Sequence, residues 1–91
     1  MTNVPGETME TSNLSFSTIL DLLKKSRGSL RAARKGWNGK GTWVSIHYPD
    51  VGTDKMSFPY LYMKTVTGDL IPWVVFHTDL MCDDWELVLP T

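Results

Sequence analysis

The chain has 91 residues, 42% hydrophobic and 21% charged, with a formal net charge of −1. That length holds one domain and no second, and the charge supplies no global field to draw in nucleic acid or an acidic membrane, so any anion site must be local. The lone cysteine, Cys82, excludes an internal disulfide and suits a reducing compartment. No apolar run approaches the ~18 residues of a membrane span, and the N-terminus lacks a signal-peptide core, which reads as a cytoplasmic protein. A domain of this size buries somewhat over ~60% of its unfolded surface, so self-association would be a natural remedy for modest stability. Four tryptophans are many for this length, and Trp concentrates at interfaces and in ligand pockets.

Residues 1–13 are polar, carry Pro5-Gly6, and read as a flexible tail or loosely docked arm; residues 14–91 form the folded, ligand-binding domain. Phe16, Ile19, Leu20 and Leu23 recur at i, i+3, i+4 and i+7, predicting a helix over 16–27. Ser15 is its candidate N-cap, Lys24, Lys25 and Arg27 fall where the helix dipole favours cations, and Gly28 ends it. Leu30 to Arg34 reads as a short strand leading into Gly36-Trp37-Asn38-Gly39-Lys40-Gly41. Asn-Gly there signals a type I′ hairpin turn, which needs positive φ at both central residues.

Thr42 to Tyr48 is β-branched and aromatic, bounded by Gly41 and Pro49, and predicts a strand with Trp43, Ser45 and His47 on one face and Val44, Ile46 and Tyr48 on the other. Pro49 to Pro59 is a loop, of a length that often carries function. Tyr60 to Val66 is a strand, Thr67-Gly68-Asp69 a tight turn, and Leu70 to Phe76 the returning strand, with Pro72 demanding an edge or a bulge. His77 to Asp84 reads as one helical turn capped by Thr78 or Asp79, and Trp85 to Leu89 as the last strand. The fold class is therefore α+β: one N-terminal amphipathic helix on a small antiparallel sheet of four to five strands, with a short helical turn before the last.

Two stretches carry chemistry. In the first, Trp37 could stack on a purine, Asn38 pair with a base edge or ribose, Gly39 allow close approach, and Arg34 and Lys40 hold phosphate. The alternative is a hairpin turn whose Trp packs on the helix. In the second, His77-Thr78-Asp79, a helix start offers backbone N–H groups to an anion while Thr78 and Asp79 bond ribose hydroxyls; the alternative is an N-cap with a solvated acidic turn. Trp73 is a candidate platform, although its commoner role, like that of Trp85, is core. Two histidines without a third ligand at metal spacing make a weak zinc case, and no metal or cofactor is expected. Cys82 beside Asp83 and Asp84 has its thiolate disfavoured, the reverse of what a nucleophile needs.

Arg34-Lys35-Gly36-Trp37-Asn38-Gly39-Lys40-Gly41, Thr67-Gly68-Asp69, Pro72-Trp73, Thr78-Asp79-Leu80 and Asp83-Asp84-Trp85-Glu86, in this order, resemble a small family of phage and prophage proteins, the second type of Thoeris anti-defence protein. The resemblance runs from about Phe16 to Val88. It implies a sponge rather than an enzyme: a homotetramer with pockets across subunit interfaces that binds the cyclic ADP-ribose isomer of Thoeris, and in some members cyclic oligonucleotides of CBASS, without cleaving them. It would set Trp37 and Asn38 against adenine or ribose, Thr78 and Asp79 against ribose hydroxyls and the pyrophosphate end, and Arg34 and Lys40 as charge partners. Phe76-His77 stands where Ser-Gln is common, and the N-terminal tail is longer than usual. The competing readings are a single-stranded nucleic-acid-binding module using the same Trp and basic residues, and a cyclic-nucleotide hydrolase using His77 and Asp79.

Overall fold

The computed structural model describes residues 11–37 and 41–88. Asn38, Gly39 and Lys40 lie outside the described residues, as does most of the polar tail. Helix α1 spans Phe16–Lys25, with Ser15 accepting a hydrogen bond from the Thr18 backbone N–H at 3.2 Å. The helix ends at Lys25, two residues before the predicted end at Arg27, with Ser26 as its C-cap. Both Arg27 and Gly28 have positive φ, of 54° and 88°, and the Gly28 N–H returns to the Leu23 carbonyl at 3.1 Å. A side chain at Gly28 would also run into the Ile46 carbonyl, so the chain can pass close to the sheet there only without a Cβ.

The strands are β1 (Arg31–Arg34), β2 (Trp43–His47), β3 (Tyr60–Lys64), β4 (Leu70–Pro72) and β5 (Trp85–Val88), with a short helix α2 (His77–Met81) before the last. They form one antiparallel sheet in the order β4-β3-β2-β1-β5. The predicted α+β architecture is the one observed. Helix α1 buries Phe16, Ile19 and Leu23 against Ala32, Val44, Ile46 and Trp85, the period-3.6 stripe meeting the period-2 face of the sheet. Trp43, Ser45 and His47 face the other way, opposite Lys64, Tyr62 and Tyr60 of β3.

Several local expectations are corrected. Lys35–Trp37 forms a 3₁₀ turn directly after β1, which the strand-into-turn expectation did not include, and the expected Asn38-Gly39 turn lies outside the described residues. Gly36 is not in the left-handed region and no atom crowds it, whereas Gly41 has φ of 71°. The ladder between β1 and β2 has one partnered pair, Ala32 with Val44; the buried Ser45 hydroxyl reinforces it by donating to the Leu30 carbonyl at 2.7 Å. The returning strand stops at Pro72 rather than Phe76. One more rung follows, the Trp73 N–H donating to the Leu61 carbonyl at 3.1 Å, and Pro72 sits on the sheet's edge strand, where a residue without an N–H is tolerated.

The folded chain also begins before residue 14. Leu14 bridges Trp85 through two backbone bonds of 2.9 and 3.1 Å, and the Leu87 N–H reaches the Thr11 carbonyl at 2.8 Å. Residues 11–14 thus cover the β5 edge, which would otherwise present unpaired backbone groups. Among the described residues, no helix is long and apolar enough to cross a membrane.

Candidate functional site

The end of β1, the 3₁₀ turn and the 73–85 segment meet at one end of the sheet. Arg34, the last residue of β1, is opposite Trp85 on β5, so its guanidinium lies over the chain that follows α2. Nε donates to Asp84 Oδ1 at 3.0 Å, one terminal nitrogen to Asp79 Oδ1 at 3.0 Å, and the other to Cys82 Sγ at 2.9 Å and Asp84 Oδ2 at 3.3 Å. The planar fork suits this task, since it serves two carboxylates in fixed directions. The hydrogen bond to Asp84 and then that to Asp79 raise the guanidinium pKa above its ordinary value, against the opposing effect of desolvation.

Asp79 is 6% exposed. Its second oxygen accepts the Phe76 N–H at 3.3 Å, and its backbone carbonyl accepts the Trp85 indole N–H at 2.8 Å. Its place in α2 explains this. The N-cap is Phe76, which has no side-chain oxygen with which to cap, so neither Thr78 nor Asp79 is the N-cap; both lie inside the helix. Asp79 at the third helical position reaches back to the N-cap N–H, the half of a capping box that an acidic residue supplies. The expected carboxylate open to ribose hydroxyls is, within one chain, a nearly buried group with both oxygens occupied. Arg34, expected to hold phosphate, has all three nitrogens directed to the chain's own groups.

Above this network the rings interlock. Trp37 meets Trp85 edge-on at 5.4 Å between centroids and Trp73 at 6.2 Å, with interplanar angles of 80° and 90°. Phe16 of α1 contacts Trp85 at 5.5 Å and Trp73 at 6.2 Å. Such tilted and edge-to-face contacts match the ring quadrupoles. Trp85 is fully buried, while Trp37 and Trp73 are half-buried. Each therefore has one part in the core and another at the surface. His77 and Thr78 are exposed on α2. The structure thus brings Arg34, Trp37, Trp73 and Asp79 into one cluster. Sequence reading did not anticipate Asp84 and Cys82 as partners of Arg34; their separations of 50 and 48 residues leave no local signal.

A small antiparallel α+β domain whose glycine-rich turn and late Asp-Trp strand converge on an aromatic and ion-paired cluster defines a recognisable class. Residues 14–88 match the Thoeris anti-defense 2-like domain, and the chain belongs to that family. It is similar to a protein of Bacillus phage SP01 named Thoeris anti-defense 2, with 25% identity over 87 residues, covering 82% of this chain and 94% of the relative.

Proposed function

We propose that the protein is a phage anti-defence sponge, which binds a cyclic nucleotide immune signal in the host cytoplasm and holds it uncleaved. The family match over residues 14–88 carries this reading. The signal is a cyclic ADP-ribose isomer of Thoeris, with cyclic oligonucleotides of CBASS as further ligands. The half-buried Trp37 and Trp73 supply aromatic surface, and His77 and Thr78 supply exposed polar groups. Asn38, Gly39 and Lys40, which lie outside the described residues, are further proposed ligand contacts. Arg34 and Asp79 fix the position of α2 beneath the aromatic surface through their ion pair.

The occupied oxygens of Asp79 favour sequestration over hydrolysis, because a general base must accept a proton. Assembly as a homotetramer fits the apolar surface next to this site: Val74, Phe76, Leu80 and Met81 are 73%, 68%, 51% and 65% exposed. A sponge acts by mass action and must outcompete the effector, which demands a Kd of roughly nanomolar, about −12 kcal/mol. A cyclic ligand is preorganised, which reduces the ordering cost of reaching that affinity.

Calorimetry against cyclic ADP-ribose isomers and cyclic di- and trinucleotides, followed by heat release and recovery of the ligand, tests the proposal. The expected result is nanomolar binding of at least one signal, recovered intact. Cleaved ligand would convert the reading to an enzyme. Salt-sensitive binding of linear oligonucleotides of any length, with none of cyclic signals, would convert it to a nucleic-acid module.

A further inference from the structure

The face of the sheet turned away from α1 carries a cavity of about 370 Å³, within the range of small-molecule sites. Its walls are His47 at the end of β2, Tyr60 and Tyr62 of β3, the edge strand β4 and Asp54 from the 49–59 loop. Strand register creates the aromatic wall. His47 is opposite Tyr60, with ring centroids 5.5 Å apart, and Tyr62 is opposite Ser45, whose small side chain leaves room beside it. Among the described residues, none of those expected to meet a nucleotide signal lines this cavity.

The carboxylate lining this cavity is an acceptor only. Asp54 Oδ2 takes the Asp50 backbone N–H and bonds His47 Nε2 at 3.3 Å. The Asp50 N–H, and after it His47, holds the Asp54 carboxyl below the ordinary carboxylate range, so it is ionised at neutral pH. Both bonds use Oδ2; among the described residues Oδ1 has no hydrogen-bond partner, and neither Tyr60 nor Tyr62 hydroxyl has one. When Nε2 carries the imidazole proton toward Asp54, Nδ1 is left as a further acceptor. Among the described residues, no lysine or arginine lines the cavity. An anion would meet a carboxylate with no compensating cation, whereas a positively charged donor would meet a carboxylate oxygen and the electron-rich faces of two phenols.

We propose that this cavity is a binding site for a small organic cation, an ammonium group carried on an apolar or aromatic body. The ammonium donates to Asp54 Oδ1 and lies against the Tyr60 and Tyr62 rings. The body rests on the apolar wall made by Leu70, Ile71 and Pro72. The site lies on the opposite face of the sheet from Trp37 and Asp79, so it stands or falls separately from signal sequestration.

Three probes of one shape and different charge test it on the unmodified protein: benzylammonium, benzyl alcohol and benzoate, each titrated at neutral pH while backbone amide shifts are followed by NMR. The expected result is a saturable response to benzylammonium at residues 47, 54, 60–62 and 70–71. Benzyl alcohol and benzoate should bind at least about tenfold more weakly, the worth of one charge-assisted hydrogen bond. Equal binding of all three would overturn the proposal by reducing the cavity to an apolar slot. No response to benzylammonium at those amides would also overturn it, as would saturable binding of adenosine there without the ammonium. Asp54→Asn should abolish the preference for benzylammonium over benzyl alcohol. Tyr62→Leu, which leaves Asp54 and its loop bonds in place, should weaken benzylammonium alone; retention of full affinity in both variants would remove the carboxylate and the rings from the site.

Discussion

The two ends of the sheet use the same residue types in opposite ways. At the Arg34 end, a cation, two carboxylates, a thiol and three indoles satisfy one another, with Asp79 and Trp85 buried. At the His47 end, an imidazole, a carboxylate and two phenols stand around open space, and the loop supplying the carboxylate is exposed from Asp50 to Pro59. The difference follows from what covers each. Helix α1 and the 11–14 arm lie against the first, so unpaired charge there would carry the full desolvation cost. Nothing in the described chain lies over the second, where water meets the requirements of an unpaired oxygen. Polar residues in this domain hold the fold together where they are covered and remain available to ligands where they are not.

The sharpest way to break that contrast is Arg34→Met. It keeps the length and apolar stem of the side chain but leaves Asp79 charged, nearly buried and without its cation, with Asp84 also unpaired. The expected loss is about 3 kcal/mol, as for other buried pairs broken from one side, measured by the denaturant midpoint at constant slope. A loss under about 0.5 kcal/mol would mean that this end is as solvated as the other. Trp37→Leu probes the boundary between the two roles. Removing an indole that contacts two others edge-on should cost about 1–2 kcal/mol of stability. It should also weaken signal binding by ~1–3 kcal/mol, the worth of one stacked base, read by calorimetry on protein shown to be folded. Unchanged affinity would assign Trp37 wholly to the core.

Much of this was legible from sequence where the cause is local. The Phe16-Ile19-Leu20-Leu23 stripe and the Ser15 cap specify α1, and the alternation through 43–47 assigns Trp43, Ser45 and His47 to one face and Val44 and Ile46 to the other. Tyr60 and Tyr62 alternate in the same way, and a loop as long as 49–59 often carries function, so the parts of the His47 cavity are visible individually. Pairing was the missing step: no local rule says that His47 meets Tyr60, or that β1 takes β5 as its main partner across fifty residues. The Arg34 network was hidden for the same reason. A lone Arg beside a glycine turn reads as a ligand cation until the fold places Asp79 and Asp84 against it. α2 misled in another way. Thr78 and Asp79 are good cap residues, but the helix starts one position before Thr78, because Asp79 can reach back to the Phe76 N–H.

The smallest effect, and the finest test of the contrast, is the acid response of the His47 end. Asp54 has its folded pKa lowered by the Asp50 N–H first and His47 second. A lowered folded pKa means that these bonds stabilise the 49–59 loop above the ordinary carboxylate pKa of about 4, and that this stabilisation is lost as pH falls through the Asp54 folded value. Native-state hydrogen exchange at the Asp50 and Asp54 amides, both hydrogen-bonded donors within this loop, reads it directly. After correction for intrinsic chemistry, protection there should decline on acidification below pH ~4, while Trp85 and Leu87 amides change only with global stability. In Asp54→Asn the local decline should vanish, since the amide oxygen accepts the same N–H without titrating there. A decline shared equally by the Trp85 and Leu87 amides would mean that the loop opens only with the whole domain, and the two ends would then be one cooperative unit rather than a closed core and an open rim.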